Sequence, residues 1–239
     1  MAWETPHHLP SRPGTQRPPR QQRGTTPQNV GRYPRFDVLS PEVVCEWDEP
    51  TRRVVLDRLH QSQGFRYFSE AELPCLRAFC DVLLAQSREP RVPVPEMLDA
   101  KYADGKLDGF RYASMPHDGE AWHAALKGLD FTARARYGRT FAEADEEGRK
   151  AIIRDLQQGN LQGGPWDRLD RGRIFSVLTR GVVSEFYSHP WAWNEIGFGG
   201  PAYPRGFMRF GDLSTQEPFE SSDAVGADPV REAESEGLP

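Results

Sequence analysis

The sequence predicts an all-α fold: an irregular helical bundle followed by an aromatic, Gly/Pro-rich, non-helical segment. Three observations predict it. Apolar residues recur at helical spacing in several segments between about 40 and 188, helix-start and helix-stop residues bracket those segments, and no stretch alternates with period two long enough to make a strand.

The first element is short. In "TRRVVLD" at 51–57, Val54, Val55 and Leu59 fall on one side of an amphipathic helix. The arginine pair resembles a twin-arginine export signal, but Asp57, Arg58, His60 and Gln61 follow it where an apolar insertion segment would have to stand. Ser69 with Glu72 three residues on forms a capping box, and Leu73, Leu76, Cys80, Leu83 and Leu84 then predict a helix over about 69–86, with Pro74 just after its first turn. After the turn-forming "REPRVPVP", Met97, Leu98 and Ala100 predict a helix over about 95–104 that ends at Asp104-Gly105.

Trp122, Leu126, Leu129 and Ala133 define one apolar face over about 118–137, stopped by Gly138. Asp145, Glu146 and Glu147 suit the positive end of a helix that carries Ile152, Ile153 and Leu156 inward and closes at Gly159. The last helix starts after Asp167 or Asp170, runs through Ile174, Phe175, Leu178, Val182 and Phe186, and ends before Pro190.

Beyond the bundle the composition changes. The chain has 239 residues, 37% hydrophobic, yet its mean hydropathy is −0.69; the polarity sits at the ends. Residues 1–39 are rich in Arg and Pro and read as a disordered basic arm, residues 40–211 as the helical domain, and residues 212–239, with eight acids and one base, as a disordered acidic tail. The basic arm lacks aromatic interleaving and leads into no recognisable nucleic-acid reader. No apolar run is long enough to span a bilayer and no secretory signal is seen, so a cytoplasmic location is expected. Cys45, Cys75 and Cys80 read as small core residues, since three thiols at these spacings suit neither a disulfide framework nor a metal site.

Candidate chemistry is sparse. His117 and His123 stand six apart, on different sides of a helix, and read as a helix-start and a partly buried histidine. His189 is the best lone acid/base candidate, with Glu185 or Glu195 as the nearest acids. "GFGGPA" at 197–202 fits a dinucleotide fingerprint in letters only: no strand precedes it and prolines follow, so its glycines read as turn formers. No catalytic, cofactor-binding or metal residue is therefore assigned.

What remains is "FYSHPWAWNEIGFGGPAYPRGFMRF" at 186–210, with eight aromatic residues in the stretch. If exposed, they would form a larger apolar patch than a monomer tolerates, so they cover the bundle or meet a partner. The residue types favour partner binding by Tyr187, His189, Pro190, Trp191, Trp193, Asn194, Phe198, Tyr203, Arg205, Phe207 and Arg209.

The segments at 64–84, 129–159 and 175–207, and above all Tyr187-Ser188-His189-Pro190, Asn194 and Ile196-Gly197-Phe198-Gly199, resemble the gluconate 2-dehydrogenase subunit 3 family. The resemblance spans about 60–210. It implies a helical, non-catalytic small subunit that binds and stabilises or matures an FAD-dependent glucose-methanol-choline type oxidoreductase acting on a sugar or other alcohol. FAD is then held by the partner, and a cytochrome can share the complex. Two alternatives stay open: an enzyme in its own right built on His189 and a nearby acid, and a scaffold or regulatory module that uses the charged tails.

Overall fold

The computed structural model describes residues 37–59, 64–86, 91–107, 109 and 111–204. Among them are eight α-helices and a 3-10 helix, and no strand. They divide into two compact units, one drawn from residues 64–188 and one from 37–59 together with 189–204.

The larger unit holds α3 (Leu73–Leu84), α4 (Val94–Ala103), α5 (Asp118–Tyr137), α6 (Glu146–Gln157), the 3-10 helix Gly164–Arg168 and α7 (Ile174–Ser188). The Ser69–Glu72 box forms, with the Ser69 amide and hydroxyl both donating to the Glu72 carboxylate at 3.0 and 2.7 Å. It shapes the turn that precedes α3. Pro74 is therefore in the first turn of the helix, not after it, where a missing N–H costs nothing. The helix ends two residues earlier than predicted because Ala85 turns into the left-handed region (φ 51). Buried Gln86 then clamps Val92, accepting from its amide at 2.7 Å and donating to its carbonyl at 3.2 Å.

α5 is the central element and packs on α3, α6, α7 and the 3-10 helix. Its predicted face is fully buried: Trp122, Leu126, Leu129 and Ala133. Gly138, at φ 70, stops it as predicted. Phe79 meets Trp122 edge-on at 6.0 Å, and Ile152, Leu156, Ile174, Leu178 and Val182 complete the core. Phe175 is only half-buried. Asp145 caps α6 by accepting the Gly148 amide at 2.8 Å. His117 stands at the start of α5 as expected.

The 3-10 helix is fastened to α5 through Trp166. Its indole is buried, donates to Thr132 Oγ1 at 2.9 Å, and lies over Gly128, where an added Cβ would stand 2.6 Å from the ring. Gly128→Ala is expected to cost about 1–3 kcal/mol, or more if the ring cannot shift. Thermal melting of the purified variant, followed by circular dichroism, measures it.

The smaller unit is built from α1 (Pro41–Val44), α2 (Glu49–Asp57) and α8 (Pro190–Ile196). Its core is Val38, Val43, Trp47, Val55 and Trp193. Two expectations need correction here. Val54 is 56% exposed while its neighbour Val55 is buried, because one step along a helix turns the side chain by about 100° and the core lies on the Val55 side. Cys45 is exposed on the short α1; only Cys75 and Cys80 are core thiols.

The third correction concerns the aromatic segment. Residues 190–196 are helical, although the sequence reading left everything after residue 188 irregular. Pro190 begins this helix. Proline is pre-organised for the first helical position, so a residue read as a terminator of α7 also initiates α8. Residues 197–204, by contrast, are non-helical as predicted.

Candidate functional site

Local chemistry fixes α8 at both ends. At its start, His189 Nδ1 accepts the Trp191 amide at 3.2 Å, filling the role usually taken by Ser or Asp. At its end, Gly197 adopts φ 70 and the Phe198 amide returns to the Trp193 carbonyl at 2.9 Å. Such a C-terminal turn is usually accompanied by a hydrophobic contact across it. Here Phe198 meets Trp193 edge-on at 5.5 Å.

The preceding chain segment then locks α8 in place. Asn194, 2% exposed, accepts the Val38 amide at 2.7 Å through Oδ1 and donates through Nδ2 to Asp37 at 3.2 Å. Trp47 donates from Nε1 to the Pro201 carbonyl at 3.1 Å. Gly200 has φ 79, and a Cβ there would sit 2.7 Å from the Trp47 ring, so the position admits only glycine. Arg58 lies over the Trp193 ring at 5.8 Å. Gly197 thus serves a helix end, in keeping with its reading as a turn former, and Gly200 a close approach of the backbone to Trp47.

The candidate residues fall into four groups. His189, Pro190, Trp193 and Asn194 are buried and form framework. Trp191 is half-buried, with its ring edge-on to His189 at 5.0 Å. Tyr187 on α7, Phe198 and Tyr203 are 44%, 39% and 66% exposed and available to a partner. Arg205, Phe207 and Arg209 lie outside the described residues. Ile196, exposed at the end of α8, joins the available set although the sequence reading did not single it out.

The electrostatics of His189 follow from its burial. Loss of hydration pushes its pKa down to about 4, and the positive charge of Arg58 adds to that. The ring is neutral near pH 7, and with Nδ1 accepting a hydrogen bond its proton is on Nε2. That nitrogen lone pair is engaged in holding α8. Glu185, one of the acids considered beside it, forms an ion pair with Lys101 at 3.5 Å.

Two groupings in the larger unit escaped the sequence reading. Asp99 on α4 is fully buried and accepts the amides of Arg66, Tyr67 and Phe68 at 2.7, 2.8 and 2.8 Å, which orders the loop before α3. His123 on α5 bonds through Nδ1 to Glu72 at 2.8 Å and stacks on Tyr67 at 4.9 Å. Burial alone would raise the Glu72 pKa, but hydrogen bonds from Ser69 and His123 outweigh it and the net shift is downward. Among the described residues no group of three or more His, Cys, Asp or Glu is placed to hold a metal ion, and no helix is long and apolar enough to cross a membrane.

The family described as gluconate 2-dehydrogenase subunit 3 matches residues 70–200, which covers α3 to α8 but leaves out α1 and α2. No curated protein and no solved structure matches the chain significantly. The match takes in more than half of the sequence, and the chain belongs to the gluconate 2-dehydrogenase subunit 3 family, named for a subunit of an oxidoreductase complex.

Proposed function

We propose that this chain is a non-catalytic small subunit that binds and stabilises or matures a larger FAD-dependent oxidoreductase of the glucose-methanol-choline type, acting on a sugar or other alcohol. FAD and the reacting groups belong to that partner, and a cytochrome can share the complex. The observation that carries this reading, beside the family membership, is the exposure of Ile196, Phe198 and Tyr203 around the end of a helix anchored by buried Trp193 and Asn194. Anchored apolar side chains at a surface lose little conformational freedom on association, which favours binding. Covering each would contribute on the order of 1 kcal/mol, because each is already partly buried. The engagement of His189 as a helix cap supports leaving the chemistry to the partner.

Co-expression of a tagged chain with its flavoprotein tests this. The expected product is a yellow heteromer with a flavin absorption spectrum. Phe198→Ala combined with Tyr203→Ala is expected to weaken that heteromer about tenfold, consistent with removal of two interface aromatics, while the melting temperature of the isolated chain changes little. Recovery of the wild-type chain without any flavoprotein would refute the accessory role.

A further inference from the structure

The larger unit carries a second surface that the fold does not use. One stripe of α5 runs through half-buried Ala124 and exposed Lys127, Phe131 and Arg134, spaced three or four residues apart and hence on one side of the helix. Facing it, Gly164, Pro165 and Arg168 of the 3-10 helix form the opposite wall of a groove of about 1200 Å³. Small-ligand pockets are typically smaller, about 300–1,000 Å³, and more enclosed; an open groove of this size suits a polypeptide segment.

Three features say what kind of segment. Phe131 is 45% exposed on the helix that buries Trp122, Leu126 and Leu129, and Gly164 leans on it so closely that a Cβ there would stand 3.3 Å from its ring. Lys127 and Arg168, in the same groove, form no ion pair among the described residues. Acids line the groove as well: Asp130 accepts the Phe141 amide at 2.9 Å, and Glu72 holds Ser69 and His123. Glu120 lies at the other end of the stripe, 11 positions or about 16 Å from Phe131 along the helix. The Phe131 end, with Lys127, Arg134 and Arg168 against the single carboxylate of Asp130, is the more cationic one. Lys127 and Arg134 are about 10 Å apart along the axis, two helical turns, with Phe131 between them.

Both walls are rigid before anything binds, because Trp166 is seated on Gly128 and hydrogen-bonded to Thr132. We infer that this groove docks an acidic segment of the large oxidoreductase subunit, one that places an apolar side chain against Phe131 and Gly164 and carboxylates against Lys127 and Arg168. The inference rests on the accessory-subunit reading and adds a second contact surface to it, distinct in residues from the one around Phe198. Charge steers such an encounter and apolar contact holds it, so the two contributions separate by salt dependence.

The test uses the full chain and its co-expressed flavoprotein subunit, with affinity measured at low and at high salt. Wild type should bind less tightly as salt rises. Lys127→Glu with Arg168→Glu should weaken binding about 30-fold at low salt and flatten the salt dependence, as reversal of interface charges does. Phe131→Ala should weaken it about tenfold and leave the salt dependence intact. Arg53→Glu with Arg139→Glu makes the same change in net charge elsewhere and should have little effect; an equal loss there would overturn the groove assignment, as would wild-type affinity in both groove variants. If the wild-type chain fails to bind the flavoprotein at all, the accessory reading falls with it. Self-association of the chain alone that the groove variants abolish would assign the face to a second copy and overturn the proposed occupant.

Discussion

Trp193→Ala is expected to destabilise the isolated chain by about 3–5 kcal/mol, the range for removing a large aromatic side chain from a packed core. The indole is 5% exposed and shares a core with Val38, Val43, Trp47 and Val55. It also supports Phe198 on one edge, lies under the Arg58 guanidinium, and stands 3.5 Å from where a Cβ on Gly200 would be. Its core partners are three valines and a second indole, side chains with few rotamers, so collapse of the site should recover little of the loss. Urea unfolding followed by circular dichroism measures the effect. Phe198→Ala provides the contrast: its ring is 39% exposed, and its truncation should cost about 1 kcal/mol or less in the same assay. The pair of results separates framework from docking surface. Equal, small losses in both variants would return Trp193 to the partner-binding role that its residue type suggests.

That contrast also marks what the sequence could and could not disclose. Helices whose periodicity and caps agree were legible: α5 between Asp118 and Tyr137 and α6 behind Asp145 depend on local patterns, and local patterns are written in order along the chain. α8 was missed because a proline serves equally well as the end of one helix and the start of the next, and only the capping geometry of His189 decides between them. The family resemblance was legible from the motif around Tyr187 to Gly199. The separation of that motif into buried and exposed members was not. Asn194 is buried because its amide joins the backbone of residue 38, 156 positions away, and Trp47 closes over Gly200 across a similar distance. No periodicity records such pairings. The same holds for Asp99, whose three amide partners lie about 30 residues upstream, and for the groove beside Phe131. Exposure of one phenylalanine on an amphipathic helix is a property of what the other elements leave uncovered.

The chain is expected to lose stability as the pH falls from about 6.5 towards 4, and His189 to be the main source. The unfolded chain binds a proton at His189 below about 6.5, whereas the folded chain resists until about 4, since protonation would put a charge into a buried site already facing Arg58. Between those values the unfolded state carries more protons than the native state, so stability rises with pH across the window. It is fully present above 6.5 and falls by about 1.4 kcal/mol per pH unit at most, to a total of about 3 kcal/mol. Protonation also removes the Nδ1 lone pair that accepts the Trp191 amide, so the charge and the loss of the helix cap act in the same direction. Glu72 contributes a separate step: its folded pKa lies below its ordinary 4.5, so its stabilisation is present above that value and is lost only as pH falls further. His189→Asn isolates the first step, because asparagine can accept the same amide and does not titrate. Its unfolding free energy should be nearly flat between pH 6.5 and 4.5, where the wild type slopes; parallel curves for the two proteins would show that the buried imidazole is not what titrates.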